Sequence, residues 1–272
     1  MQQRKIAFIG AGNMAKAIIT GLVKSGYPAQ LITASSPSMK QDSPLHSQYG
    51  IHCSNDNIAS ARQADVVVLA VKPQMMAQVC TPIQQQVDLN GKLILSIAAG
   101  VSVERFYQLL GKVELIRIMP NTPALIGLGM SGLYAAPQVS VQDREFTAQL
   151  MQAVGKVCWV DQESGINDII AVAGSAPAYF FLFMESMQQE AERLGFDAEQ
   201  ARLLVQQSAL GAAQMVVANP QLDIATLRQQ VTSKGGTTAE ALRVFNENAL
   251  PQIVASAMQA AITRAAEMEK SL

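Results

Sequence analysis

Two glycine-bearing stretches carry the residues best suited to chemistry: Gly10-Ala11-Gly12-Asn13-Met14-Ala15 and Gly235-Gly236-Thr237-Thr238-Ala239-Glu240. Each stands where a helical pattern begins. A helix start presents backbone N–H groups without intrahelical acceptors, and its dipole favours negative charge, so both read as anion sites. The first follows the apolar run "KIAFIG" and opens a helix, the context of a dinucleotide fingerprint. Gly10 permits the tight turn, Gly12 lets the backbone approach a pyrophosphate, and Ala15 replaces the third glycine at the helix–strand contact. The pyrophosphate would accept from N–H groups near Asn13 and Met14. A turn with no ligand is the plain alternative.

Other residues refine the chemistry. The second apolar run ends at Ser35-Ser36-Pro37, with no acid until Asp42. A site for NAD usually places a carboxylate there, whereas hydroxyls, backbone N–H groups and nearby Lys40 can bond a 2′-phosphate. NADP(H) is favoured, with NAD(H) left open. The third run closes at Ala70-Val71-Lys72-Pro73. Pro73 ends the strand and holds Lys72 extended, as a ligand contact or as a solvated loop lysine. The small residues of "SIAAGVS" suit a nicotinamide lying across strand ends. Pro120 and Pro123 make a rigid turn that presents Asn121 and Thr122. In the later loop, Thr237 and Glu240 have capping-box spacing, which predicts Thr237 as N-cap. Bare glycine backbone at a helix start makes a carboxylate site, and the Thr238 hydroxyl is free to donate to what binds there.

These residues need a scaffold. Five β-branched runs ("KIAFIG", "QLITAS", "ADVVVLAV", "KLILSIA" and "ELIRIM") alternate with helical patterns, which predicts βαβ units and a doubly wound parallel sheet. From about Glu163 the pattern turns helical: "APAYFFLFMESMQQEAERLG", then a helix capped by Asp197, a short one over "DIATLRQQV", and a closing one over "IVASAMQAAITRAAEMEK". The fold class is α/β: an N-terminal dinucleotide-binding domain over 1–162 and an all-helical domain over 163–272. Recurrent small residues such as Ala209, Gly211, Ala212, Ala257 and Ala260 permit close helix packing, between subunits or within a compact bundle.

Composition removes several classes. The chain has 272 residues, 49% of them hydrophobic, and a mean hydropathy of +0.17, which suits a large subunit interface. Twenty Lys and Arg against 21 Asp and Glu leave no basic surplus for nucleic acid. No uninterrupted apolar run reaches the roughly 18 residues of a membrane span, so no membrane partner is expected. The start leads straight into a strand with no cleavage-site pattern. Cys53, Cys80 and Cys158 are scattered and read as buried apolar fillers in a reducing cytoplasm, and His46 and His52 read as loop histidines; no metal is expected.

"VTSKGGTTAEALRVF" resembles the signature of pyrroline-5-carboxylate reductases, usually SPGGTT, and "FIGAGNM", "AVKP", "SIAAGV", "MPNTPAL" and "GSAPAYFF" resemble the family's other blocks in the same order. The resemblance spans essentially the whole chain. It implies NAD(P)H-dependent reduction of the cyclic imine 1-pyrroline-5-carboxylate to L-proline, the last step of proline biosynthesis. It implies a cofactor site of Ile9 to Met14, Ser35, Ser36, Pro37, Asn55, Ala70, Val71, Lys72, Pro73, Ala98 and Asn121. It implies a substrate site of Gly235, Gly236, Thr237, Thr238, Ser233, Glu163 and Ser175, with Thr238 as the catalytic hydroxyl. Family members form homodimers through their helical domains, often assembled into decamers. Lys234 stands where the family usually has proline, and Ala173 and Ala176 replace Ser and Gly. A 3-hydroxyacid dehydrogenase is the enzyme alternative, but its catalytic lysine has no counterpart in "GSAPAYFFLFME". A catalytically silent NADP-binding protein is the alternative from another class.

Overall fold

The computed structural model describes residues 1–40 and 42–271; Gln41, and Leu272 at the end of the expected helical domain, lie outside the described residues. In chain order come β1 (Ile6–Ile9), α1 (Asn13–Lys24), β2 (Ile32–Ser35), α2 (Pro44–Tyr49), β3 (His52–Ser54), α3 (Asn57–Gln63), β4 (Val66–Leu69), α4 (Met76–Gln86), β5 (Leu93–Ser96), α5 (Val103–Leu110), β6 (Glu114–Met119), β7 (Gly129–Ala135), α6 (Val141–Gln152) and β8 (Gly155–Trp159). The helices that follow are α7 (Gly165–Ile169), a π-helical turn (Ile170–Gly174), α8 (Ala176–Arg193), α9 (Ala198–Ala218), α10 (Ile224–Gln230), α11 (Thr237–Glu247) and α12 (Leu250–Ser271).

The eight strands form one sheet in the order β3-β2-β1-β4-β5-β6-β7-β8. The first six are parallel and doubly wound, with the order reversing between β1 and β4. Beyond the five expected strands the sheet gains β3, β7 and β8, and β7 runs antiparallel to β6. Alternation along each strand supplies two cores. Ile6, Phe8, Val66, Val68, Leu93 and Leu95 meet Ile18, Ile19 and Leu22 of α1 and Phe146 and Leu150 of α6. Ala7, Ile9, Val67, Leu69, Ile94 and Leu115 meet Cys80 and Ile83 of α4 and Phe106 of α5 on the other face. Side chains as fully buried as Phe8 and Phe106 stabilise by about 1.5–3 kcal/mol each.

At the foot of the sheet Arg4 ion-pairs with Asp143 and lies 4.7 Å over the Phe146 ring. Burial pushes the Asp143 carboxyl up, but the 2.6 Å bond from Ser140 Oγ and those from Arg4 outweigh it and hold the group below the usual carboxylate range. Glu114 beside it is raised, first by burial and then by the Asp143 charge.

The backbone divides into two compact units: Met1–Pro177 with the stretch from Ala260 onward, and Ala178–Gln259. The second unit is all helix. Asp197 caps α9 as expected, in a full capping box with Gln200. Only Ala201 and Val205 of this unit are buried, while Phe180, Phe181, Leu203, Val217, Ile224 and Ile253 are exposed. The continuous helical stretch Gly165–Arg193 is long and apolar enough to cross a bilayer by length and composition. The count of uninterrupted apolar residues misses it because isolated polar residues punctuate it.

Candidate active site

The turn after β1 sits at the reversal of strand order, where α/β sheets bind ligands. Gly10 has φ +104°, and a Cβ there would lie 2.6 Å from the Ala70 carbonyl oxygen. Glycine therefore lets the loops after β1 and β4 touch at the switch point. Its N–H donates to Ser35 O at 2.7 Å, tying in the end of β2. Gly12 is the N-cap of α1 and no side chain caps the helix. A Cβ on Gly12 would meet nothing within 4 Å. An uncapped helix start facing open space fits a pyrophosphate. Ala15, only 1% exposed, packs into the core behind it.

Gly10, Ser36, Pro37, Asn55 and Val71 line one cleft of about 420 Å³ with Asp56, Asn57, Ile58, Met75, Gln78 and Val79. Ser36 and Ala11 also line an adjoining cleft of about 700 Å³ with Lys16, Ser38, Lys40 and Asp42. Ser36 thus stands between an apolar recess and a recess bearing two lysines. Ser35 departs from the expectation that both serines face a phosphate: it is fully buried and its Oγ donates to Asn57 Oδ1 at 2.7 Å. Asn57 and Lys16 are residues that sequence reasoning missed. The first opens a helix capped by Asp56, a signal present in "SNDN". The second is a helical neighbour of Ala15 with no local signature.

Around the next strand ends, Lys72 is extended and exposed and precedes the 3-10 turn Pro73–Met75. Ala70 and Val71 are half-buried, and Ile9 lies in the core. Ala98 follows β5, its N–H donating to Ser96 Oγ at 3.3 Å. Asn121 departs from a ligand role for its side chain. Its Nδ2 donates to Ala173 O at 3.0 Å and its Oδ1 accepts from Met130 N at 2.9 Å. The amide staples β7 to the π-helical turn, whose wide i to i+5 pattern is marked by the Ser175 N to Ile170 O bond at 2.7 Å. Glu163 is likewise engaged inside the protein. Its Oε1 accepts from Arg117 Nη1 at 2.5 Å and from Val103 N at 2.6 Å.

In the helical unit, Gly236 N donates to Ser233 O at 3.0 Å and closes a four-residue turn. Gly235, its third residue, has φ +73°, the geometry that favours proline at the second position, here Lys234. A Cβ on Gly236 would approach Ser233 Oγ to 2.3 Å, so that turn is tight. α11 begins at Thr237 with Gly236 as N-cap and no side-chain cap. The predicted capping box does not form, because the N-cap is Gly236 and not Thr237: Thr237 is the first helical residue, Glu240 falls one position past N3, and Glu240 pairs with Arg243 at 2.6 Å instead. Its carboxyl is held below the usual range by that bond. The helix start is left with uncapped amides and with Thr237 and Thr238 exposed beside them. That arrangement can bind a carboxylate and offer it a hydroxyl. Among the described residues, no three His, Cys, Asp or Glu side chains are grouped to hold a metal.

A model described as pyrroline-5-carboxylate reductase dimerisation matches residues 163–268, and one described as NADP oxidoreductase, coenzyme F420-dependent, matches residues 5–100. The pyrroline-5-carboxylate reductase of Vibrio alginolyticus is 63% identical over 99% of both chains. A solved pyrroline-5-carboxylate reductase from Coxiella burnetii superposes with a TM-score of 0.93 at 39% identity, covering 98% of this chain and 99% of that one. The Plasmodium falciparum pyrroline carboxylate reductase, solved with NADP bound, gives a TM-score of 0.87 at 26% identity over 99% of both. With whole-length identity at this level and its two glycine turns each starting an uncapped helix, the chain belongs to the pyrroline-5-carboxylate reductase family.

Proposed function

We propose that the protein reduces 1-pyrroline-5-carboxylate to L-proline with NADPH, completing proline biosynthesis. The observation that carries this is the pair of uncapped, glycine-led helix starts in a chain of this family, one suited to a diphosphate and one to a carboxylate. The relatives' names supply the substrate class. Residues 1–162 are assigned the cofactor and residues 163–272 the substrate and the dimer contact.

NADP(H), when bound, supplies the hydride. Gly10, Gly12, Asn13 and Met14 would hold its diphosphate, and Ser36, with Lys40 on the adjoining cleft, its 2′-phosphate, which makes NADPH the better donor than NADH. The α11 start would hold the substrate carboxylate. The Thr238 hydroxyl would bond the ring nitrogen and pass it a proton from water. A protonated cyclic imine is already electrophilic, so alignment rather than strong acid catalysis is the protein's task.

The helical unit leaves many Phe, Leu, Val and Ile side chains exposed, the kind of apolar surface that docks another protein. A second copy covering it gives a homodimer, with decamers as a further assembly, and accounts for the apolar stretch Gly165–Arg193 without a bilayer. Of the three cysteines expected to be buried fillers only Cys80 is, with Cys53 half-buried and Cys158 exposed on β8; three free thiols suit the cytoplasm. Following NADPH absorbance with pyrroline-5-carboxylate tests the activity. Turnover with NADPH exceeding that with NADH is expected, and no oxidation of either would reject the assignment. Sedimentation velocity tests the assembly, and a monomer at micromolar concentration would reject it.

A further inference from the structure

Arg117 is a charge in the wrong place for a sheet. It lies in the middle of β6, is 2% exposed, and sits in register between Ser96, the last residue of β5, and Tyr134 of β7. Two carboxylates converge on it. Glu163 Oε1 accepts from Nη1 at 2.5 Å, and Glu269 Oε1 of α12 lies 2.8 Å from Nη2. The second contact is an ion pair without hydrogen-bond alignment, and Nε is buried with no partner. Asn167 Nδ2 steadies Glu269 from the side at 3.1 Å. A buried, incompletely satisfied guanidinium is costly, and apolar packing would hold a sheet at least as well. Stability alone does not account for it.

What the cluster does is visible at its other end. The oxygen of Glu163 that bonds Arg117 also accepts from Val103 N, the first amide of α5. At the opposite end of the same turn, Ser96 Oγ accepts from Ala98 N. Residues 97–102, at the carboxyl end of β5, are therefore pinned by Ser96 on one side and by Glu163 on the other. Arg117 lies beside the first pin and bonds the second.

We propose that Glu163 and Arg117 are a positioning pair: Arg117 fixes the Glu163 carboxylate, which fixes the turn over residues 97–102, the floor against which the nicotinamide ring is aligned. This rests on the cofactor reading above, and it replaces a direct substrate contact by Glu163. Arg117 is too deeply buried to meet substrate, so a shared phenotype of the two positions separates positioning from contact.

The experiment compares Glu163→Ala, Glu163→Gln and Arg117→Lys with the unaltered enzyme by steady-state kinetics and by amide hydrogen exchange over residues 97–103. Glu163→Ala is expected to lower kcat about tenfold with both KM values within about twofold, as misalignment does. Glu163→Gln keeps an acceptor for the Val103 amide and should lose only about threefold. Arg117→Lys should lower kcat in the same sense, and exchange over 97–103 should quicken in all three variants. A rise in substrate KM confined to the Glu163 variants, with exchange unchanged, overturns the proposal in favour of direct contact. Faster exchange with unaltered kcat also overturns it. If Glu163→Ala fails to fold, the Gln and Lys variants give the same decision. Exchange needs no turnover, so absence of reductase activity in the unaltered enzyme would reject the function without mimicking either result.

Discussion

Gly10 and Gly12 are two residues apart, and the structure assigns them opposite liabilities. Gly10→Ala forces a side chain into φ +104° and drives its Cβ to 2.6 Å from the Ala70 carbonyl. Left-handed strain and overpacking against immovable backbone together cost roughly 2–5 kcal/mol. For a unit of this size that lowers Tm by roughly 5–15 °C. Gly12→Ala adds the same methyl at φ −71°, which any residue adopts, facing open space. Its stability cost is that of alanine at an N-cap, about 1 kcal/mol or less. On the proposed cofactor reading the methyl would instead occupy the path of the diphosphate, so NADPH affinity should fall at least about tenfold, or 1.4 kcal/mol. Thermal unfolding without ligand and fluorescence titration with NADPH separate the two. Equal Tm losses in both variants, or unchanged NADPH affinity in Gly12→Ala, would refute the division of labour.

Thr238→Ala should reduce kcat at least several-fold while Thr238→Ser retains most of it, as stopped-flow NADPH oxidation can show. Lys234→Pro should raise stability by about 0.4–1 kcal/mol, because the turn before Gly235 already has proline's preferred geometry; a lower urea midpoint would contradict that turn. Asp143, whose pKa is depressed by its bonds to Ser140 and Arg4, contributes stability above the ordinary carboxylate range that is lost as pH falls through its folded pKa. Glu114 is raised and acts in the opposite sense, so its contribution fades as pH rises through its folded value. Urea midpoints from pH 7 down to pH 3 should therefore fall less steeply in Asp143→Asn than in the parent.

The sheet's parallel half was legible because each strand is buried on both faces and reads as a run of Val, Ile and Leu, as in "ADVVVLAV". β3 was not, since "HCS" is three half-polar residues with no apolar signal, and β7 was hidden by the glycines of "GMSGLYA". The tight turn at Gly10 and the helix start at Gly12 were legible because both are local features. The roles of Ser35, Asn121 and Glu163 were not, because Asn57, Ala173 and Arg117 reach them across the fold. Thr237 misled for a different reason. A capping box depends on which residue is the N-cap, and the tight turn through Gly235 makes Gly236 the cap, so Thr237 and Glu240 each stand one position too far into the helix.

The two rims of the sheet are poor landing places. β3 is too short to template a neighbour. β8 alternates with exposed Lys156, and Arg144 stacks 4.6 Å above Trp159. Strand-on-strand polymerisation is thereby discouraged at both margins. Association of copies is then left to surfaces other than the strand edges.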